Sequence, residues 1–497
     1  MCVGQRRKTA EQHSSLDCSL PEEPSRQSTM SRTAENSLES CLRLLSCHFT
    51  WNLLEGERSL DDIEDTVCHQ GEQQKSEFKA TKSNLLAYIN HHRGRSQEAL
   101  ACLQRAEESV QQEHGDQAEI RSLVTWGNYA WVYYHLGRLS EAQAYVDKVR
   151  RVCEKFSSPY RMESPELDCE EGWSQLQCGG KHVERAKVCF EKCLEKNPKN
   201  PEFVSGLAIA SYHLDERPVP PNPKEALRQA IRLNPDDQYL KVLLALKLQK
   251  MKEEGEGERL VAEAVERAPY ATDVLRGAAM LYRRKHDWDR AIRLLKRAVK
   301  RLPHNAYLHY SIGMCYRAKV LQGQKGVSDG TCGEGEDLWQ LRGHAVDHLK
   351  KADELNGNLP HVCSYLACFY AQAHQYEEAE YYFQKEFSKE LTPVDQQVLH
   401  LRYGNFQWYD MKCASKAIQH FIEGVKINRD PQVTEKMKNK LQRIAQTRLS
   451  RRREDPETLH LLAFLQKLNG GKLPVDENSE RGLASGRLSP SASLEEE

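Results

Sequence analysis

The 497-residue sequence has almost no net charge: 71 Lys and Arg face 72 Asp and Glu, a formal balance of -1. A uniformly basic tail is thereby excluded, and any surface that binds a polyanion has to be a local asymmetry. No stretch approaches the ~20 consecutive apolar residues that a membrane helix needs. Mean hydropathy is -0.73, so membrane insertion is not expected. The first residues lack the apolar run of a secretory signal. Sixteen cysteines are present, yet none are paired as C-x-x-C, which points to a reduced, cytoplasmic setting rather than a disulfide framework. Strand-type alternation and βαβ patterning are missing. So are a G-x-x-x-x-G-K phosphate loop and an H-E-x-x-H metal helix. These absences favour a non-enzymatic binder that needs no cofactor and no metal.

The two ends are poor in aliphatic residues. Residues 1–29 are rich in Ser, Glu, Gln and Arg, and such a segment cannot offset an ordering cost of ~1–2 kcal/mol per residue. They read as a disordered extension, with Met30 as an alternative start. Amphipathic pattern begins at Leu38, Leu42, Leu45 and Phe49. Residues 470–497 read as a disordered, acidic and Ser-rich tail.

Between the ends lies a repeat, and a repeat period fixes the architecture before any local reading does. Pro198, Pro235, Pro269 and Pro303 recur at steps of 37, 34 and 34 residues, the tetratricopeptide spacing. Ala99, Ala142, Ala186, Ala291, Ala345, Ala379 and Ala417 are each followed four residues later by Leu103, Val146, Phe190, Leu295, Leu349, Phe383 or Phe421. A small residue lets two helices cross closely, and the bulky one fills the gap beside it. Gly94 and Gly137 stand five residues before two of these alanines, where a tight turn between helices favours positive φ. The fold class is therefore all-α: a tetratricopeptide-repeat superhelix, or α-solenoid, of about nine helix pairs with non-repeat insertions and a concave inner wall. We expect N-terminal repeats over residues 30–240 and C-terminal repeats over 241–469. The Gly-rich residues 322–336 read as a disordered loop, near 321–338. Residues 217–223 lengthen another turn, and residues 459–468 supply half of a final pair.

Charge is polarised along the chain. Residues 276–319 carry twelve basic residues against Asp287 and Asp289, and residues 436–453 carry eight with no acid. Residues 35–72 hold nine acids and two bases. Arg283 and Arg284 follow Tyr282, and Arg317 follows Tyr316, so cations recur in one slot of consecutive first helices, the helices that line a solenoid's inner wall. Neighbouring helices pack ~8–10 Å apart, close to the physiological screening length of ~8 Å, so these potentials overlap. Arg276, Arg283, Arg284 and Arg317 are the candidate contacts to a single-stranded nucleic acid, with His213, after Tyr212, in a comparable place. The competing reading is a protein-interaction scaffold without RNA, in which the acidic residues 35–72 meet the basic half of another copy. Trp126, Trp131, Trp173, Tyr239 and Tyr316 read mainly as core. Cys47, His48, Cys189 and Cys193 read as structural.

Several segments resemble one known family. These are Cys47-His48-Phe49-Thr50-Trp51, Asn84-Leu85-Leu86-Ala87-Tyr88, residues 121–131 (RSLVTWGNYAW) and Asp168-Cys169-Glu170-Glu171-Gly172-Trp173. They look like the interferon-induced proteins with tetratricopeptide repeats, over about residues 30–497, and LTPVDQQVLHLRYGNFQWY looks like one branch of that family. The resemblance implies an interferon-induced antiviral protein that binds RNA in a basic channel, inhibits expression of viral messages and promotes apoptosis. It also implies association with sister members, as a homodimer or hetero-oligomer formed by swapped repeats. Arg284 in YRRK, Arg317 in CYRAK and Lys436 in EKMK match family channel positions. His213 and Met280 stand where the family carries Arg and Lys, and Thr66 where a basic residue is common. Tyr310-Ser311 replaces a His-Gln pair and Gln177 replaces Lys near Trp173, so the resemblance implies AU-rich RNA rather than a terminal cap or triphosphate.

Overall fold

The computed structural model describes residues 36–55, 60, 63, 64, 67, 79–113, 117–156, 158–214, 223–253, 255–328, 338–451 and 456–468. The terminal extension and tail, Thr66 and most of the 217–223 turn lie outside them. From residue 79 the described elements are helices: α1 Lys79–His92, α2 Ser96–Glu113, α3 Ala118–His135, α4 Leu139–Cys153, α5 Pro165–Cys178 and α6 His182–Lys196. They continue as α7 Pro201–His213, α8 Pro223–Leu233, α9 Gln238–Lys250, α10 Glu256–Arg267, α11 Thr272–Arg284, α12 Trp288–Arg301 and α13 Ala306–Ser328. The last are α14 Leu338–Leu355, α15 Val362–Gln372, α16 Tyr376–Phe387, α17 Pro393–Tyr409, α18 Ala414–Ile427, α19 Pro431–Arg451 and α20 Pro456–Leu468. Successive helices pair, α1 with α2 through α19 with α20, as a tetratricopeptide α-solenoid requires. Two compact units result, one from the described residues within 1–60 and 75–196, the other from those within 61–74 and 197–497.

Local chemistry explains where the helices start and stop. Pro198, Pro235, Pro269 and Pro303 each stand two residues beyond the end of a second helix, where a ring without an N–H cannot continue the ladder. Ser164, Asn200 and Thr392 each cap a helix whose first residue is proline. Their side-chain oxygens accept backbone N–H groups, for Asn200 Oδ1 from Glu202 at 2.9 Å. Such caps contribute about 1 kcal/mol each.

Every crossing alanine and its bulky partner is buried. Gly94 and Gly137 have φ of 73° and 71°, as their place in the turn demands. In four later pairs the residue five before the crossing position is left-handed too, but is Lys252, His286, His374 or Lys412. The geometry recurs there with a different residue type, because only about 1–2 kcal/mol separates glycine from other residues at such a position.

Gly404 on α17 shows how tightly the pairs close. A Cβ there would lie 2.5 Å from Phe421 Cε1 on α18, and Phe421 is fully enclosed. Gly404→Ala is expected to lower stability by about 1–3 kcal/mol, the usual cost of overpacking. An unchanged thermal midpoint would show that the ring has room to move.

Two expectations change. α13 runs through Ser328, so residues 322–328 extend a helix instead of beginning a loop, and Trp288 Nε1 donates to Gln322 Oε1 at 3.2 Å. The final pair is complete: Leu461 and Leu465 of α20 join Met437, Leu441 and Ile444 of α19 in one core.

Candidate nucleic-acid interface

In the second unit, cations on successive first helices approach one another across buried ring and thiol groups. Arg283, in the last turn of α11, acts on the thiol of Cys315 on α13, which burial nonetheless pushes up to about 11. Two residues on, Arg317 places its guanidinium carbon 4.7 Å from the ring centre of Tyr365 on α15. Arg402 on α17 reaches the same ring at 4.1 Å. Its Nη2 donates to the Tyr365 hydroxyl at 2.7 Å and its Nη1 to Ser364 Oγ at 2.8 Å. Both arginines act on the half-buried Cys368 thiol, which desolvation raises and their charges oppose.

Two guanidinium groups are thus fixed on one tyrosine. Each cation–π contact is worth about 0.5–2 kcal/mol, which offsets part of their mutual repulsion. A pair of phosphate oxygens matches the guanidinium fork.

The other candidate residues have surroundings of their own in the second unit. Arg284, exposed at the end of α11, lines a cleft of ≈ 410 Å³ with Gln249, Lys252, Glu253, Glu258 and Lys285. The two carboxylates there are engaged by lysines, Glu253 by Lys224 at 2.7 Å and Glu258 by Lys285. Lys436 is half-buried on α19, one turn before Lys440, whose Nζ sits 5.0 Å from the Tyr409 ring of α17. His213 ends α7, exposed, edge-on to Tyr212. Arg276 is not part of the Arg283–Arg317 group: it lies near the other end of α11, 3.8 Å from Asp273 and 5.4 Å from the Tyr307 ring centre.

Residues 78–155 match the tetratricopeptide repeat family, and residues 220–328 match the N-terminal tetratricopeptide region of Psidin. Over 468 residues the chain is 67% identical to Homo sapiens interferon-induced protein with tetratricopeptide repeats 2, covering 93% of this chain and 99% of the relative. The chain belongs to the interferon-induced proteins with tetratricopeptide repeats. A second member of this family, the human antiviral innate immune response effector IFIT1, is 42% identical over 90% of this chain and 96% of its own. The solved structure of a human IFIT1 dimer with m7Gppp-AAAA superposes with a TM-score of 0.72 at 41% identity, over 87% of this chain and 96% of that one. A human IFIT1 dimer with PPP-AAAA gives 0.70 at 41% identity, again over 87% and 96%.

Within this family frame, the aromatics read as core are largely that. Trp131, Trp173 and Tyr316 are buried, and Trp173 packs edge-on to Phe190 at 5.2 Å. Trp126 is half-buried and donates its Nε1–H to Glu107 Oε1 at 2.9 Å. His48 is enclosed in the first unit, its ring nitrogens 3.1 Å from Asn128 Nδ2 and 3.0 Å from Ser174 Oγ. Among the described residues, no three His, Cys, Asp or Glu side chains are arranged to hold a metal ion. Residues 326–330 read G-x-S-x-G, but Gly326 to Ser328 end helix α13, whereas a nucleophile elbow needs a strand before it.

Arg402 is the residue that slot matching misses. It precedes its own helix's Tyr403 instead of following a tyrosine, and its partner Tyr365 lies 37 positions back on another helix. The available signal was the arginine in LRYGNF, a lone cation within an otherwise uncharged stretch.

Proposed function

We propose that this chain is an antiviral protein that binds single-stranded RNA along the first helices of its second unit, with Arg283, Arg284, Arg317, Arg402 and Lys436 meeting phosphates. The observation that carries this reading is the seating of Arg317 and Arg402 on one buried tyrosine, an arrangement that fixes two guanidinium groups from different first helices at one place. The relatives support it: one is named an antiviral effector, and its solved structures hold short capped and triphosphate RNAs. Within the same reading the RNA is AU-rich, the protein works in the cytoplasm without catalysis, and binding restrains viral messages and promotes apoptosis. Assembly as a homodimer or with sister members, by repeat exchange, belongs to it as well.

The test is the double variant Arg317→Ala/Arg402→Ala in the full chain. Hydrogen bonds to charged groups contribute about 1.5–3 kcal/mol, so affinity is expected to fall at least about a hundredfold. The log-log salt slope should shrink by about 1.4, since each phosphate contact on a single strand contributes ~0.7. Anisotropy titrations at several salt concentrations that gave wild-type affinity and slope would remove the reading. The scaffold alternative would then stand.

A further inference from the structure

Six of the twelve basic residues in positions 276–319 lie on a second helix. They lie on α12, the second helix of its pair: Arg290, Arg293, Lys296, Arg297, Lys300 and Arg301. The opposite face of α12 is Ala291, Ile292, Leu294, Leu295 and Ala298, all buried, so the cations form a stripe turned away from the core. The helix's acids, Asp287 and Asp289, stand at its start, where they engage Arg290 at 3.3 Å and Lys319 at 2.9 Å. Beyond Asp289 the helix carries no acid.

The stripe ends against two exposed tyrosines. Arg297 Nη2 donates to the Pro269 carbonyl at 2.6 Å, pinning the end of α12 to the turn that precedes α11. Next to that carbonyl, Tyr270 is 58% exposed with the Arg301 guanidinium 5.5 Å from its ring centre. Six residues after Arg301, Tyr307 is 45% exposed and has Arg276 at 5.4 Å. A large apolar ring left half in water, with a cation over it, is a stacking platform beside a phosphate site. Single-stranded nucleic acids are held by that combination, because every base offers a π-face and every nucleotide a charge.

We propose that Arg293, Lys300 and Arg301 of α12, with Tyr270 and Tyr307, form a second strip for single-stranded RNA, separate from the Arg283–Arg317–Arg402 wall. The cations hold the phosphodiester backbone along the second helix, and bases stack on the two tyrosines. An acidic protein segment would use the cations but gain little from paired, exposed rings, so RNA is the occupant the surface favours. The strip gives a long RNA a hold outside the channel wall, and a short one no reason to reach it.

The experiment compares Arg293→Gln/Lys300→Gln/Arg301→Gln and Tyr270→Ala/Tyr307→Ala with Arg317→Ala/Arg402→Ala in the full chain. Each protein is titrated with a labelled mixed A/U RNA of about 40 nucleotides and with a short one of about 8, lengths that do and do not extend past a single groove's site size. The triple variant is expected to bind the long RNA about ten- to hundredfold more weakly and to lose about 2 from its salt slope, at ~0.7 per phosphate contact. Each lost stacking platform weakens binding about five- to hundredfold. Affinity for the short RNA stays at the wild-type level in both strip variants. Photocrosslinking of 4-thiouridine RNA to Tyr270 or Tyr307 is the direct positive result. Wild-type affinity and slope for the long RNA in both strip variants would overturn the strip, whatever the Arg317/Arg402 variant does. A change in self-association by sedimentation, with RNA binding untouched, would overturn it too and assign the stripe to a second copy. Loss confined to the strip variants would keep the strip and remove the wall.

Discussion

Lowering the pH from 7 to 5 is expected to cost the second unit about 2–4 kcal/mol of stability, at up to about 1.4 kcal/mol per pH unit for each histidine kept neutral, less what solvent screens at half-buried rings. Two half-buried pairs are responsible. His309 and His348 face each other Nδ1 to Nδ1 at 3.0 Å between α13 and α14, and His400 and His420 do the same at 3.0 Å between α17 and α18. In each pair one ring donates and the other accepts, so the contact exists only while at least one ring is neutral. Burial first, and the partner's charge second, hold His348 and His420 down at about 4. Lys296 and His344 also press on His348, with Asp347 opposing, while Glu380 and Glu423 oppose the shift at His420.

The unfolded chain takes up these protons near the ordinary histidine value of about 6.5. The folded chain does not until about 4. The unfolded state therefore binds more protons in that window, and the stability present above the unfolded value drains away as pH falls towards the folded one. His48, held at about 3 by burial, acts in the same direction on the first unit. Asp168, Glu171 and Asp410, whose carboxyls burial raises, oppose it. Urea unfolding at pH 7, 6 and 5 measures the slope. A flat profile would show that the rings are protonated in the folded protein.

The repeat was legible because its signals are local. A crossing alanine, a filler four residues on and a left-handed turn five residues before are consequences of helix geometry, so Ala379, Phe383 and Gly137 could be read without knowing what they touch. Arg402 could not, since its role is set by Tyr365 on another helix. The completed last pair was missed because the buried face of α20 amounts to Leu461 and Leu465 with Thr458.

The charge count in positions 276–319 failed in a more instructive way. A sum over a window that spans three helices merges the first-helix arginines Arg283 of α11 and Arg317 of α13 with the α12 stripe. Periodicity separates them: from Arg290 to Arg301 the cations recur every three or four residues opposite an aliphatic face. Net charge locates a basic region of sequence, and only the helical phase assigns it to a surface.

Replacing Glu386 by alanine is expected to destabilise the second unit by about 3–5 kcal/mol, the usual cost of removing one member of a buried ion pair. Glu386 is fully buried at the end of α16. Its Oε1 accepts from the His361 N–H at 2.5 Å, and its Oε2 from the Ser364 N–H at 3.2 Å and from Lys389 Nζ at 3.1 Å. His361 is the N-cap of α15, at φ 70°, and has no capping side chain of its own. Glu386 supplies that cap from the neighbouring helix, with its negative charge at the positive end of the α15 dipole. Lys389, whose side chain is 4% exposed, keeps only the Leu359 carbonyl at 2.8 Å once the carboxylate is gone.

The loss should pass into the proposed RNA site, because the turn that Glu386 holds carries the groups that hold Arg402. Ser364 Oγ and the Tyr365 hydroxyl accept from its guanidinium, and His361 Nδ1 lies 3.2 Å from it. Lys389→Met in the Glu386→Ala background removes the stranded charge and should restore part of the stability. RNA affinity should stay low in that double variant, since the cap is still missing. Chemical denaturation and RNA titration of the two variants separate these effects. A loss below about 1 kcal/mol in Glu386→Ala, within the range of an exposed pair, would mean that the carboxylate neither caps α15 nor neutralises Lys389.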